Sequence, residues 1–144
     1  MADIPLSNII PQAGAWPADK IDVILSSQSY TVPETGTYRV LVVGGGGSGG
    51  YWSSGKATGG GAGGFRYAEV ALTVGQILTA TIGAGGASVS TDGAGVSGGQ
   101  SRLQLVDTGM DMIANGGGGG NASTTSAATM TGGAGGTATG SSGS

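Results

Sequence analysis

Thr37-Tyr38-Arg39-Val40-Leu41-Val42-Val43 runs without a break into Gly44-Gly45-Gly46-Gly47-Ser48-Gly49-Gly50. The β-branched residues Val40, Val42 and Val43 favour a pleated strand. The block that follows is backbone with almost no side chains. Each of its glycines costs about 0.5–1 kcal/mol more than alanine to order. The same sequence of strand and then glycine returns twice, at Ala80-Thr81-Ile82 before Gly83-Ala84-Gly85-Gly86, and at Met112-Ile113-Ala114-Asn115 before Gly116 to Gly120. A folded chain with this pattern needs a reason to keep so much glycine.

Composition narrows the classes. The chain has 144 residues and 34 glycines, and only Gly14 and Gly36 precede residue 44. One domain, or a domain with an arm, is the expected organisation. Four prolines and no Gly-X-Y register exclude collagen. Only 9 % of residues are charged and mean hydropathy is slightly positive, unlike an ordinary disordered segment. The net charge of −3, with Lys20, Arg39, Lys56, Arg66 and Arg102 scattered, leaves no footprint for nucleic acid. There is no cysteine for a disulfide or thiolate site, and no histidine as base or metal ligand. Met1-Ala2-Asp3-Ile4-Pro5 does not read as a secretory signal, and the longest apolar run, Val40 to Val43, is too short to span a membrane.

Along the chain, Pro5, Pro11 and Pro17 punctuate isolated apolar residues over positions 1–19. Proline disfavours helix there, so an extended arm is expected, with Ile9, Ile10 and Trp16 as anchors on this domain or on another subunit. Lys20 to Leu25 alternates and predicts a half-buried strand with Ile21, Val23 and Leu25 on one face. The expected units are therefore 1–27, an arm plus first strand, and 28–144, a glycine-rich β domain. Within the second, Gln28 to Val32 is a short strand stopped by Pro33, and Tyr38 to Val43 reads as buried on both faces. Phe65 to Val74 sets Arg66, Ala68, Val70 and Leu72 against Phe65, Tyr67, Glu69 and Ala71. A turn at Val74-Gly75-Gln76 leads to Ile77–Ile82 as its partner strand. Ser101–Val106 and Met110–Ala114 pair around Asp107-Thr108-Gly109. No segment combines helical periodicity with caps. The fold class is all-β, a small β-sandwich-like domain with long glycine-rich loops and an extended amino-terminal arm. By composition alone, the stretch from Gly116 to the end reads equally as linker.

Motifs that suggest catalysis fail on inspection. Gly45 to Gly50 fits a dinucleotide-binding pattern, and Gly50 to Lys56 fits the start of a phosphate loop. Ala57 then replaces the magnesium-binding hydroxyl, and Ala57 to Gly64 cannot open the helix such a site requires. Asp107 and Asp111 flank a turn without further acceptors and read as solvated turn residues. Lys20 and Lys56 lack a motif that would activate a hydroxyl. Asn121-Ala122-Ser123 forms a glycosylation sequon without a secretory context. The reading is a non-enzyme with no cofactor and no metal. Tyr51-Trp52, between two glycine blocks, is the candidate binding spot, since adjacent loop aromatics suit sugar rings or protein patches. The alternative is that one of the pair covers the open end of the β core.

Tyr30-Thr31-Val32-Pro33, Gly36-Thr37-Tyr38-Arg39-Val40, Gly63-Gly64-Phe65-Arg66-Tyr67-Ala68-Glu69, Leu72-Thr73-Val74-Gly75-Gln76, Thr81-Ile82-Gly83-Ala84-Gly85-Gly86, Gly98-Gly99-Gln100-Ser101 and Ala114-Asn115-Gly116-Gly117 form an ordered series. Over roughly residues 28–140 this series resembles the glycine-rich domain of bacteriophage tail-fibre and adhesin proteins. The resemblance implies a virion tail component, made in the host cytoplasm and acting outside it. Other tail or baseplate proteins would hold its arm, a host-surface receptor (glycan or outer-membrane protein) would be its target, and a homotrimer its assembly. Neither nucleic acid nor membrane insertion is implied. In related adhesins, glycine runs pack as polyglycine II helices and the loops between them touch the receptor. Those loops would here include Tyr51 and Trp52, with 87–97 and 121–130. Serine, alanine and threonine interrupt the runs in this chain, so two arrangements stand open: a polyglycine II brick, or glycine loops capping a sandwich. A purely structural virion part (a fibre adaptor, baseplate or decoration protein) and a bacterial surface protein are the alternative roles.

Overall fold

The computed structural model describes residues 21–123 and 130–141. The strands are β1 (Gln28–Thr31), β2 (Gly36–Val43), β3 (Lys56–Ala57), β4 (Phe65–Leu72), β5 (Ile77–Thr81), β6 (Ser101–Leu105), β7 (Met110–Ala114), β8 (Ala122–Ser123) and β9 (Ala138–Ser141). One 3₁₀ turn, Val106–Thr108, closes the β6–β7 hairpin, and Gly109 at φ 69° accepts the left-handed conformation that ends it. The fold is all-β. A five-stranded antiparallel sheet in the order β1-β5-β6-β7-β9 packs against the two-stranded sheet β2-β4.

Period-2 alternation builds the core between the sheets. From the larger sheet come Leu78, Ala80, Leu103, Leu105, Met110, Met112 and Ala114, and from the smaller one Val42, Val70 and Leu72. Leu105, Met110 and Met112 are almost wholly enclosed. Tyr38, Val40 and Ala68 complete the inner face of β2–β4.

Three expectations need correction. Residues 21–25 form no strand, and of their side chains Ile24 touches the core while Ile21, Val23 and Leu25 stand in solvent. Alternation alone does not supply a neighbouring strand, and none of the described strands pairs with this segment. Second, β2 is buried on one face only, with Leu41 62 % and Val43 53 % exposed, because the smaller sheet has no layer outside it among the described residues. Third, the turn at Gly75 does not close a hairpin. β4 pairs with β2 and β5 with β1 and β6, so the chain changes sheets there. Val32 stitches the crossing, its amide bonding the Gln76 carbonyl and its carbonyl accepting from Gly75, both at 2.9 Å.

On the outer face of the larger sheet, Asp111 is an ion-pair partner rather than a solvated turn residue. The Arg102 Nε and Nη2 donate to its two carboxylate oxygens at 2.7 Å each. This fork holds the Asp111 carboxyl below the usual carboxylate range, chiefly through the hydrogen bonds and against a smaller opposing effect of burial. A depressed folded-state pKa stabilises the fold above the unfolded value, about 3.9, and that stability is lost as pH falls through the folded value. Urea midpoints should therefore fall on acidification below about pH 4, and Asp111→Asn should flatten that part of the profile. An unchanged acid limb in the variant would remove the pair from the account.

Beyond the sandwich, strands continue directly into glycine runs. β2 leads out through 44–50 and 58–64 returns to β4. β5 leads out through 83–86, and 93–99 returns to β6. β7 leads out through 115–121, and 131–137 returns to β9. Hydrogen bonds between the runs repeat every three residues. The amides of Gly44, Gly47 and Gly50 bond the carbonyls of Gly64, Gly61 and Thr58 at 2.8–3.0 Å. Those of Gly45, Ser48 and Tyr51 bond Gly99, Val96 and Gly93, at 2.9–3.0 Å. Run 115–121 lies parallel to run 44–50, through Gly117 to Gly45 and Gly120 to Ser48, both 2.9 Å. A left-handed extended helix with three residues per turn and no internal bonds has this signature. Positive φ among the described residues occurs only at Gly75, Gly109 and Gly140, outside the runs. The brick is therefore formed: six packed runs among the described residues, not loose loops.

Packing explains the interruptions. Run 115–121 bonds with four other runs, and a Cβ on Gly117 or Gly120 would lie 2.1 Å from a backbone oxygen. It is also the run with five consecutive glycines. Run 131–137 touches fewer neighbours. There Gly133 and Gly136 are too tight for a Cβ, whereas Gly132 and Gly135 have room. Ala62, Ala84, Ala94 and Ala134 are exposed, so they mark outward positions rather than breaks.

Candidate functional site

Each outgoing run turns back at the end opposite the sandwich. The connections 51–57 and 87–92 therefore collect at one tip with the described ends of the third, 122–123 and 130, while residues 124–129 lie outside the described set. At about 3.1 Å per residue, a run of seven residues places this tip some 20 Å from the sheets. The three loops named from sequence share this end, although they lie far apart along the chain.

The first loop is central. Tyr51 exchanges backbone hydrogen bonds with Gly93 (3.0 and 2.9 Å), and Ser53 donates to Asp92 through its amide (2.6 Å) and hydroxyl (3.1 Å). These contacts bind it to the second loop. The short β3–β8 ladder, Lys56 opposite Ser123 and Ala57 opposite Ala122, binds it to the third. A tip tied across loops in this way presents its side chains without the ordering cost a free loop would pay on contact.

The aromatic pair divides its roles. Tyr51 is 42 % exposed, whereas Trp52 is half-buried with its ring over Gly55, where a Cβ would lie 2.6 Å from Cδ1. Tyr51 is thus the presented aromatic, and Trp52 packs onto its own loop. Val96, 47 % exposed, adds an apolar side chain on the flank of run 93–99. Ile9, Ile10 and Trp16 lie outside the described residues.

The sequence reading overlooked the residues that clamp the bundle ends. At the tip, Thr58 Oγ1 accepts the Asn121 amide (2.8 Å) and donates to the Thr131 carbonyl (3.0 Å), and Asn121 Nδ2 donates to the same carbonyl (3.0 Å). At the sheet end, Asn115 Nδ2 donates to Thr137 Oγ1 (2.9 Å) and Asn115 Oδ1 accepts from Gln100 (2.8 Å). Asn115 and Asn121 stand six residues apart, two turns of a three-residue helix. That spacing around five glycines was the available signal. No group of three or more metal-ligating side chains occurs among the described residues, and no described helix is long and apolar enough to cross a membrane.

Sandwich, glycine bundle and tied tip together define a small β protein that holds a loop cluster at the end of a backbone-packed stalk. Residues 23–144 match the family model described as a glycine-rich domain, and the chain belongs to that family. No curated protein and no solved structure matches it.

Proposed function

We propose that this protein is a non-enzymatic bacteriophage tail component, a fibre or tail-tip part whose loop tip contacts a host-surface receptor while residues 1–27 dock on other tail proteins. The observation that carries the reading is the gathering of the three loops, with exposed Tyr51 at the centre, at the end farthest from the sandwich. The resemblance of residues 28–140 to phage adhesin domains supports the same reading. A rigid stalk suits this role because it fixes the tip in space without a helix or a large core. A glycan or an outer-membrane protein is the expected receptor class, since an exposed tyrosine supplies both an apolar face and a hydrogen-bonding edge.

The test is adsorption of the purified protein to candidate host cells. Tyr51→Ala should lose adsorption while keeping the thermal midpoint of the parent, and Tyr51→Ala/Trp52→Ala should lose it with a lower midpoint, because the Trp52 ring packs onto its own loop. Removal of residues 1–19 should leave adsorption intact. Retained adsorption by the double variant would move the receptor contact elsewhere. If no form adsorbs and phage assembly fails on truncation, the protein is instead a structural virion part. The packing of Trp52 onto Gly55 is the feature that favours this second reading.

A further inference from the structure

The outer face of the β2–β4 sheet is a single strip with no layer over it among the described residues. On the sheet, Leu41 stands opposite Tyr67 and Val43 opposite Phe65, and the four are 53–69 % exposed. The strip continues into the glycine runs at every third residue: Val43, Gly46 and Gly49 along one, Phe65, Ala62 and Gly59 along the other, all exposed. Its upper half is apolar and its lower half has almost no side chains. An apolar patch of this kind on a small domain marks an interaction surface.

Gly49 is tight, with the Thr58 carbonyl oxygen 3.3 Å from a would-be Cβ, but two glycines of the strip are not explained by packing within the chain. A Cβ at Gly59 would meet nothing within 4 Å, and at Gly46 its nearest neighbour would be 3.7 Å away. Alanine would fit at either and would order at lower entropic cost. Among the described residues, the amides of Gly46, Gly49, Gly59 and Ala62 donate to no backbone acceptor. Run 44–50 bonds with four neighbouring runs, and a helix in hexagonal packing has room for six. The strip thus has the form of an unfinished lattice edge, where another backbone can approach closely.

We infer that this strip is a self-association surface, and that its occupant is a second copy of the chain presenting its own glycine runs. Only a backbone free of side chains at every third residue could lie against Gly46, Gly49 and Gly59. The chain carries that repeat on its own outward positions, 46/49 and 132/135 among them. Charge permits the contact: Arg39 and Glu69, which flank the apolar block, are paired with each other at 3.2 Å, so two copies bring no uncompensated like charges together. Phe65 and Tyr67 would be the anchors.

Sedimentation velocity over a concentration series tests this, with residues 1–144 intact. The parent protein should sediment as an oligomer. Phe65→Asp and Gly59→Val should each weaken association roughly thirtyfold, the scale of a lost hot spot, with no fall in the urea midpoint at dilutions where the chain is monomeric. Gly59→Val is informative because the site has room for the side chain within one chain. A parent protein that stays monomeric into the millimolar range overturns the inference. So does an oligomer that both variants retain. An oligomer that dissociates on removal of residues 1–20 yet ignores Gly59→Val overturns it as well, and assigns assembly to the arm. Adsorption to host cells is a separate readout, so the two proposals can fail independently.

Discussion

Gly117→Ala should destabilise the protein by at least about 3 kcal/mol, enough to remove much of the net stability of a domain this size. The added Cβ would lie 2.1 Å from the Gly61 carbonyl oxygen and 2.5 Å from that of Ala62. Both are main-chain atoms in a neighbouring run, so no rotamer change relieves the contact. Overpacking of this kind costs about 1–3 kcal/mol. Displacement of the run also strains the bonds from Gly117 to Gly45 (2.9 Å) and from Gly98 to Gly117 (2.8 Å), each worth about 1 kcal/mol. Gly59→Ala is the control. Measured at dilutions where the chain is monomeric, it adds the same methyl group where nothing lies within 4 Å, and should stabilise by about 0.4–1 kcal/mol through the unfolded state. Urea melts of the two variants measure the difference. If Gly117→Ala costs less than Gly59→Ala gains, the packed lattice is not what holds the runs together.

Met112→Ala should cost about 2–5 kcal/mol, the range for truncating an enclosed core side chain. The more informative outcome concerns cooperativity. Each core strand except β1 is continuous with a glycine run, and the ladder Val43–Phe65 passes directly into the Gly44–Gly64 bond. Sheet and bundle should therefore melt together. Trp52 reports the tip, some 20 Å from the sheets, once Trp16→Phe removes the other indole. Far-ultraviolet circular dichroism reports the strands. Met112→Ala should shift both transitions to the same lower urea concentration, as a two-state unit requires. Separate midpoints would make the bundle an independently folding element.

Much of the fold was legible because the relevant signals are local. The inward set Arg66, Ala68, Val70 and Leu72 follows from alternation, and the β6–β7 hairpin follows from two apolar stretches around Asp107-Thr108-Gly109. The aromatic pair stood out as the only adjacent large side chains between glycine blocks. What was not legible depended on neighbours. Lys20 to Leu25 has strand periodicity, but residues 21–25 pair with no described strand. The Gly75 turn reads like a hairpin, yet its two strands serve opposite layers. The clamps at Thr58, Asn115 and Asn121 are ordinary polar residues until the runs they join are brought side by side.

The sequence by itself determined that the chain is all-β, that strands alternate with glycine runs, and that Tyr51 stands between them on a loop. Those are properties of side-chain volume and branching within a few residues, which the chain carries wherever it goes. Only the tertiary structure decided that the runs form a lattice, which positions must be glycine, and that three distant loops share one tip. Each of these depends on how many backbones surround a given residue. The inner run 115–121 meets backbone in every direction a Cβ could take, whereas the runs around it leave about one of every three positions open. Sequence records both simply as glycine with interruptions, because the number of neighbours is not a local quantity.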